Sequence, residues 1–90
     1  MLEAVKKRLK IYYYDEEKDE EIQSYIDEAT AYLKHAGAQD YFFDNESPLA
    51  IGAVALYVKM AMESDPKELK NNPIMLSMIS QMKYTPERGE

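Results

Sequence analysis

Apolar residues recur along the chain at the three-and-four spacing of helices. Leu2, Val5 and Leu9 form the first such pattern, with Lys6, Lys7, Arg8 and Lys10 between or beyond them. This predicts a short amphipathic helix with a basic charged face, its cations gathered near the C-terminal end, where the helix dipole favours them. Ile22, Tyr25, Ile26, Ala29, Leu33 and Ala36 form the second pattern, the clearest in the chain. Tyr12 to Asp19 reads as the connector before it, either Asp15 or Asp19 can cap its free N–H groups, and Gly37 stands where a left-handed C-terminal cap belongs. Ala38 to Glu46 reads as a loop carrying the aromatic triplet Tyr41-Phe42-Phe43.

Ser47-Pro48 opens the third helix, since serine is a preferred N-cap and proline suits the first helical position. From Leu49 to about Met62 this helix is apolar on nearly every side, which makes it the central element. Asp65-Pro66 and Asn72-Pro73 bracket a polar connector, because the residue before proline is pushed out of helical geometry. Asn72 also serves as an N-cap for a short fourth helix that turns Met75, Met78, Ile79 and Met82 inward. Pro86 and Gly89 mark a polar tail. The fold class expected is all-α, a single domain over residues 1–90 built as a small bundle of about four helices. A short N-terminal helix, two long central helices and a short C-terminal helix precede a flexible tail over 83–90, and the core is expected on Leu9, Ile22, Ile26, Leu33, Val54, Leu56 and Ile79.

Composition narrows the classes of function. Ninety residues close one modest core, and 46% apolar content with three glycines and four prolines is that of a folded chain. The N-terminus lacks the basic start and apolar run of a secretory signal. The apolar stretch from Leu49 to Met62 falls short of the roughly 18 residues of a spanning helix and is interrupted by Lys59, so no membrane association is expected. Cysteine is absent, which excludes disulfides and thiolate metal sites. Seventeen acids against 11 bases, a net charge of −6, argue against the basic stripe that grips nucleic acid.

Candidate chemistry is thin. The run Asp15-Glu16-Glu17-Lys18-Asp19-Glu20-Glu21 has no glycine and lacks the alternating ligands of a calcium loop, so it reads as a solvated first helical turn. His35 is the only histidine, and none of Ser24, Ser47, Ser64, Ser77 and Ser80 lies in a Gly-x-Ser-x-Gly turn. No catalytic, metal or cofactor site is therefore expected, and the chain is not read as an enzyme. Tyr12, Tyr13 and Tyr14, with Tyr41, Phe42 and Phe43, would need a cationic groove to stack single strands; core edge or protein interface is the better reading. Met60, Met62, Met75, Met78 and Met82 either pack the core or line an adaptable groove.

The order of these elements resembles the head-tail connector (adaptor) family of long-tailed bacteriophages, whose members dock onto the portal ring. The resemblance spans almost the whole chain. It rests on the opening Leu2-Glu3-Ala4-Val5-Lys6-Lys7-Arg8-Leu9-Lys10-Ile11 helix and on the acidic connector entering Glu21-Ile22-Gln23-Ser24-Tyr25-Ile26-Asp27-Glu28-Ala29. Ser47-Pro48-Leu49-Ala50-Ile51-Gly52-Ala53-Val54-Ala55-Leu56-Tyr57-Val58 and the closing Asn72 to Tyr84 segment, ending in Met82-Lys83-Tyr84, complete it. One departure is that Tyr57 to Glu63 lacks the Trp-Tyr-Glu-like aromatic pair common at the end of the family's third helix. The resemblance implies a structural virion protein at the head-tail junction, made in the host cytoplasm. Self-association into a ring of about twelve copies is implied, joining the portal to a stopper or tail protein around a channel through which DNA passes without specific binding.

The resemblance also implies that the closing segment reaches the portal, on Lys83, Tyr84 and Arg88; from the residues themselves, Met82 and Tyr84 just before the polar tail are candidate anchors. The Tyr41, Phe42 and Phe43 stretch is a further candidate contact. Two other readings stand beside this one: a small cytoplasmic helical adaptor that binds through its methionine-rich helix, and a minimal DNA-binding protein using Lys6, Lys7, Arg8 and Lys10.

Overall fold

The structure, a computed structural model, describes residues 1–12, 14–63 and 72–84. Among these residues the chain is all-α, with α1 (Leu2–Arg8), α2 (Glu16–His35), α3 (Asp40–Asp44), α4 (Pro48–Glu63) and α5 (Pro73–Tyr84). Four of these helices match the apolar patterns; α3 occupies the stretch expected to be a loop. A five-residue helix is too short to show a period or to stand alone in water. What holds α3 is burial of Phe42 and Phe43, each 7% exposed, against the rest of the core.

Helix α4 is the centre of the bundle, and α1, α2, α3 and α5 all pack on it. Ala50, Ala53, Val54 and Val58 are completely buried. Around them stand Val5 from α1, Ile22, Ile26, Ala29 and Leu33 from α2, and Met75, Ile79 and Met82 from α5. Ile22, Ile26, Leu33, Val54 and Ile79 are thus core residues, as their spacing implied. Leu9 and Leu56 are not: both are half-buried, because they lie at the open seam between α1, α4 and α5.

The N-terminal caps follow from side-chain chemistry. Asp15, rather than Asp19, caps α2, its Oδ1 accepting the Lys18 N–H at 3.1 Å. Ser47 Oγ accepts the Ala50 N–H at 3.2 Å, and Asn72 Oδ1 accepts the N–H groups of Ile74 and Met75 at 2.9 and 3.0 Å. Asp19 has a different role. Its carboxylate meets the Lys6 ammonium at 2.8 Å, the two side chains being only 14% and 6% exposed, and so ties α1 to α2. The expected basic face of α1 is corrected accordingly: Lys6 is buried, while Lys7, Arg8 and Lys10 are exposed.

Three helices end in one motif, in which a left-handed residue lets two successive N–H groups reach back to free carbonyls. At the end of α2 the left-handed residue is Gly37, with φ +114°, and the Ala38 N–H donates to the Leu33 carbonyl at 3.0 Å. A Cβ at Gly37 would also stand 3.0 Å from Lys83 Cδ, whose stem packs there. After α1 and α3 the left-handed position is held by Lys10 (φ +62°) and Glu46 (φ +45°), with the same pair of hydrogen bonds behind each. Helix α5 includes Lys83 and Tyr84, which were expected to begin the tail. Its last turn is fastened by the Gln39 side-chain amide, which donates to the Met82 and Lys83 carbonyls at 3.3 and 3.4 Å. The remainder of the expected tail, including Arg88, lies outside the described residues.

Two stability predictions follow from these contacts. Asp19→Ala removes one partner of the buried Lys6 and is expected to cost about 2 kcal/mol in urea unfolding, whereas Lys6→Met combined with Asp19→Ala should recover most of that loss. Lys10→Gly relieves the Cβ penalty of a left-handed residue and should raise the unfolding free energy by about 0.5–1 kcal/mol, read as a higher urea midpoint at unchanged slope.

Candidate interaction surface

The residues singled out for catalysis or metal binding are dispersed. His35 is exposed in the last turn of α2, Ser47 is committed to capping α4, and Ser24, Ser77 and Ser80 are exposed on α2 and α5. Of the acidic run, Asp15 caps, Asp19 pairs with Lys6, and Glu16, Glu17, Glu20 and Glu21 face solvent. Among the described residues no group of three or more acids and histidines is placed to hold a metal ion. No helix among them is long and apolar enough to cross a membrane.

The candidate contact residues divide by burial. Phe42 and Phe43 face the core, Phe42 meeting Tyr41 edge-on at 5.3 Å between ring centroids and Phe43 lying 5.4 Å below the Lys34 ammonium. Tyr41 is half-buried. Met82 is completely buried, so its side chain serves α5 packing, while Lys83 and Tyr84 are exposed beside it. Tyr84 is 72% exposed, with the Lys83 ammonium 5.4 Å from its ring. Met75, like Met82, is completely buried. The adaptor reading that needed a methionine-rich groove therefore retains only Met78 of the α5 methionines, at the edge of the core. Burial of Lys6 likewise takes one of the four cations from the DNA-binding reading.

A surface that the sequence did not reveal lies between α1, α4 and α5. Arg8 lies against α4 at Gly52, where a Cβ would stand 3.1 Å from the guanidinium Nη2 and the arginine end would have to shift by a few tenths of an ångström. The recess beside it, about 220 Å³, has Leu9, Ala55, Leu56 and Met78 in its walls and the 59% exposed Ile74 at its rim. It shares Arg8, Leu9 and Lys59 with a cleft of about 560 Å³ that is also lined by Lys10, Ile11, Met62 and Glu63. The result is a largely apolar groove bordered by Arg8, Lys10 and Lys59, with Glu63 as its one acid among the described residues. The glycine within an otherwise apolar helix was the available sequence signal, but only the packing of α1 across α4 reveals what it admits.

On the opposite side of α4, Tyr57 locks the seam with α2. Its hydroxyl donates to Glu28 Oε1 at 2.8 Å, and its ring lies 5.6 Å from that of Tyr32. Burial foremost, then the hydrogen bond to Glu28 and the charge of that carboxylate, with a smaller contribution from Tyr32, push the Tyr57 hydroxyl up to about 12 from 10.0.

Among the described residues the chain is a helical scaffold around one apolar centre, with a groove and exposed aromatic side chains on its surface. The chain belongs to the phage connector protein family, whose model matches residues 1–85. No curated protein and no solved structure matches it. The family is structural rather than catalytic, and membership makes the protein a structural connector component of the phage virion.

Replacing Tyr57 by Phe should cost about 1 kcal/mol at pH 8, where the neutral hydroxyl holds its hydrogen bond. Because the folded-state value is raised to about 12 from 10.0, the contribution is complete below pH 10 and is lost as pH climbs from 10 to 12. Unfolding of the two proteins measured across that range should show the wild-type advantage shrink and then reverse.

Proposed function

We propose that the protein joins the capsid portal to a stopper or tail protein at the head-tail junction, assembling with copies of itself into a ring around the DNA channel. The observation that carries this reading is the match of a connector family model over residues 1–85. Around it stand physical features that suit the role. Tyr84 ends α5 as an exposed aromatic group, and the Gln39 hydrogen bonds to the Met82 and Lys83 carbonyls hold the helix end that carries it. An aromatic anchor on a fixed helix end loses little entropy on docking. Lys83 and Arg88 supply charge on either side of it in sequence, and the half-buried Tyr41 is a secondary contact. The exposed acids of α2, Glu16, Glu17, Glu20 and Glu21, suit a wall that DNA phosphates slide past without sticking.

Co-sedimentation with purified portal rings tests the reading. The wild-type chain should sediment with the rings, and Tyr84→Ala with Arg88→Ala should weaken that binding about 30-fold, as expected for loss of an interface hot spot. Tyr84 is 72% exposed, so its replacement should leave the unfolding free energy within about 0.5 kcal/mol of wild type. Wild-type protein that does not bind portal rings would refute the connector role. Unchanged binding by the double variant would move the contact to another surface.

A further inference from the structure

We infer that the groove between α1, α4 and α5 receives Tyr12, Tyr14 and the acidic start of α2 from a second copy of this chain, a head-to-tail contact that rests on the connector reading above and gives its self-association a defined pair of faces. The groove asks for an apolar group followed by negative charge. Leu56, Ile74 and Met78 line one part of it, Lys10, Ile11, Met62 and Glu63 the other, and Arg8 and Lys59 border both, so among the described residues cations outnumber acids three to one. The segment from Tyr12 carries that pattern in order. Tyr12 and Tyr14 are 77% and 80% exposed, among the most exposed large apolar side chains described, and Asp15, Glu16 and Glu17 follow directly, all exposed. Tyrosine rings on the apolar walls and carboxylates on the cations would satisfy both together.

The two surfaces are different ones that adjoin at Ile11. Tyr12 and Tyr14 stand over a cleft on the flank of α1 that carries Glu3 and Lys6, the flank turned to α2. Arg8 is two residues beyond Lys6, roughly 200° around the helix, and opens on the α4 and α5 side. A surface on one flank that fits a different surface on the other flank makes a heterologous contact, which propagates from copy to copy until it closes on itself. An acidic partner also suits the distribution of charge in this chain. The net charge is −6, yet Lys7, Arg8, Lys10 and Lys59 are exposed around this groove and its neighbouring recess, while the exposed acids of α2 begin immediately after Tyr14.

The cysteine-free sequence permits a direct test in the full chain. Tyr14→Cys and Ile74→Cys proteins are mixed in equal amounts under a mild oxidant, and the disulfide-linked dimers are counted by mass spectrometry. The mixed 14–74 dimer should exceed each like-with-like dimer at least tenfold, and the excess should fall in 1 M salt, where charge pairing is screened. Lys59→Glu in the Ile74→Cys partner should reduce the mixed product about tenfold, and adding Glu17→Lys to the Tyr14→Cys partner should restore much of it. Mixed dimers at the statistical proportion, or a dominant 74–74 product from groove-to-groove pairing, would overturn the contact. Portal co-sedimentation reads the other claim separately. Binding to portal with statistical cross-links leaves the connector role standing and removes this interface, whereas specific 14–74 cross-links without portal binding do the reverse.

Discussion

Helix α4 has to be covered on almost every side, and the rest of the fold is the means of covering it. Ala50, Gly52, Ala53, Val54, Ala55, Tyr57 and Val58 are all buried and together point around most of its circumference. Its small side chains let neighbours approach closely, and Arg8 lies against it at Gly52. Helices α1, α2 and α5 take the available flanks, and α3 is recruited from an otherwise irregular stretch by Phe42 and Phe43. Where this coverage is incomplete, at Leu9 and Leu56, the groove opens. The groove is thus the remainder of the same packing problem that builds the core.

Around that core, polar groups set how the helices are placed. The Lys6 to Asp19 ion pair fixes α1 against α2, and the Tyr57 to Glu28 hydrogen bond fixes α2 against α4. Gln39 fastens the last turn of α5 through its carbonyls. Each of these contacts joins one helix to another or to a connector rather than serving a single helix. Apolar burial alone would tolerate some sliding of α1 and α5 over α4; directional contacts make one arrangement preferred. That matters for a connector, whose exposed groups have to be presented at set positions.

The left-handed residues Lys10 and Glu46 indicate a local cost accepted for a tertiary gain. A lysine or glutamate in that conformation is disfavoured by its Cβ, yet the turn aims Ile11 and Ser47 so that the following connector and α4 start in place. Gly37 performs the same turn without that penalty and also leaves room for the stem of Lys83.

The sequence by itself determined what depends on neighbours a few residues apart. The period of α2, the all-round apolarity of α4, and the Ser47-Pro48 and Asn72-Pro73 starts are local signals, and each corresponds to a helix or cap in the structure. The order of those elements was enough to indicate the connector family. Only the tertiary structure decided the rest. It turned Lys6 from a surface cation into a buried partner of Asp19 and Phe42 and Phe43 from a loop into core, and it brought Arg8, Leu56 and Ile74 to one groove. These outcomes depend on which residues meet across long separations in the chain, and helical periodicity describes one face of one helix without naming what will lie against it.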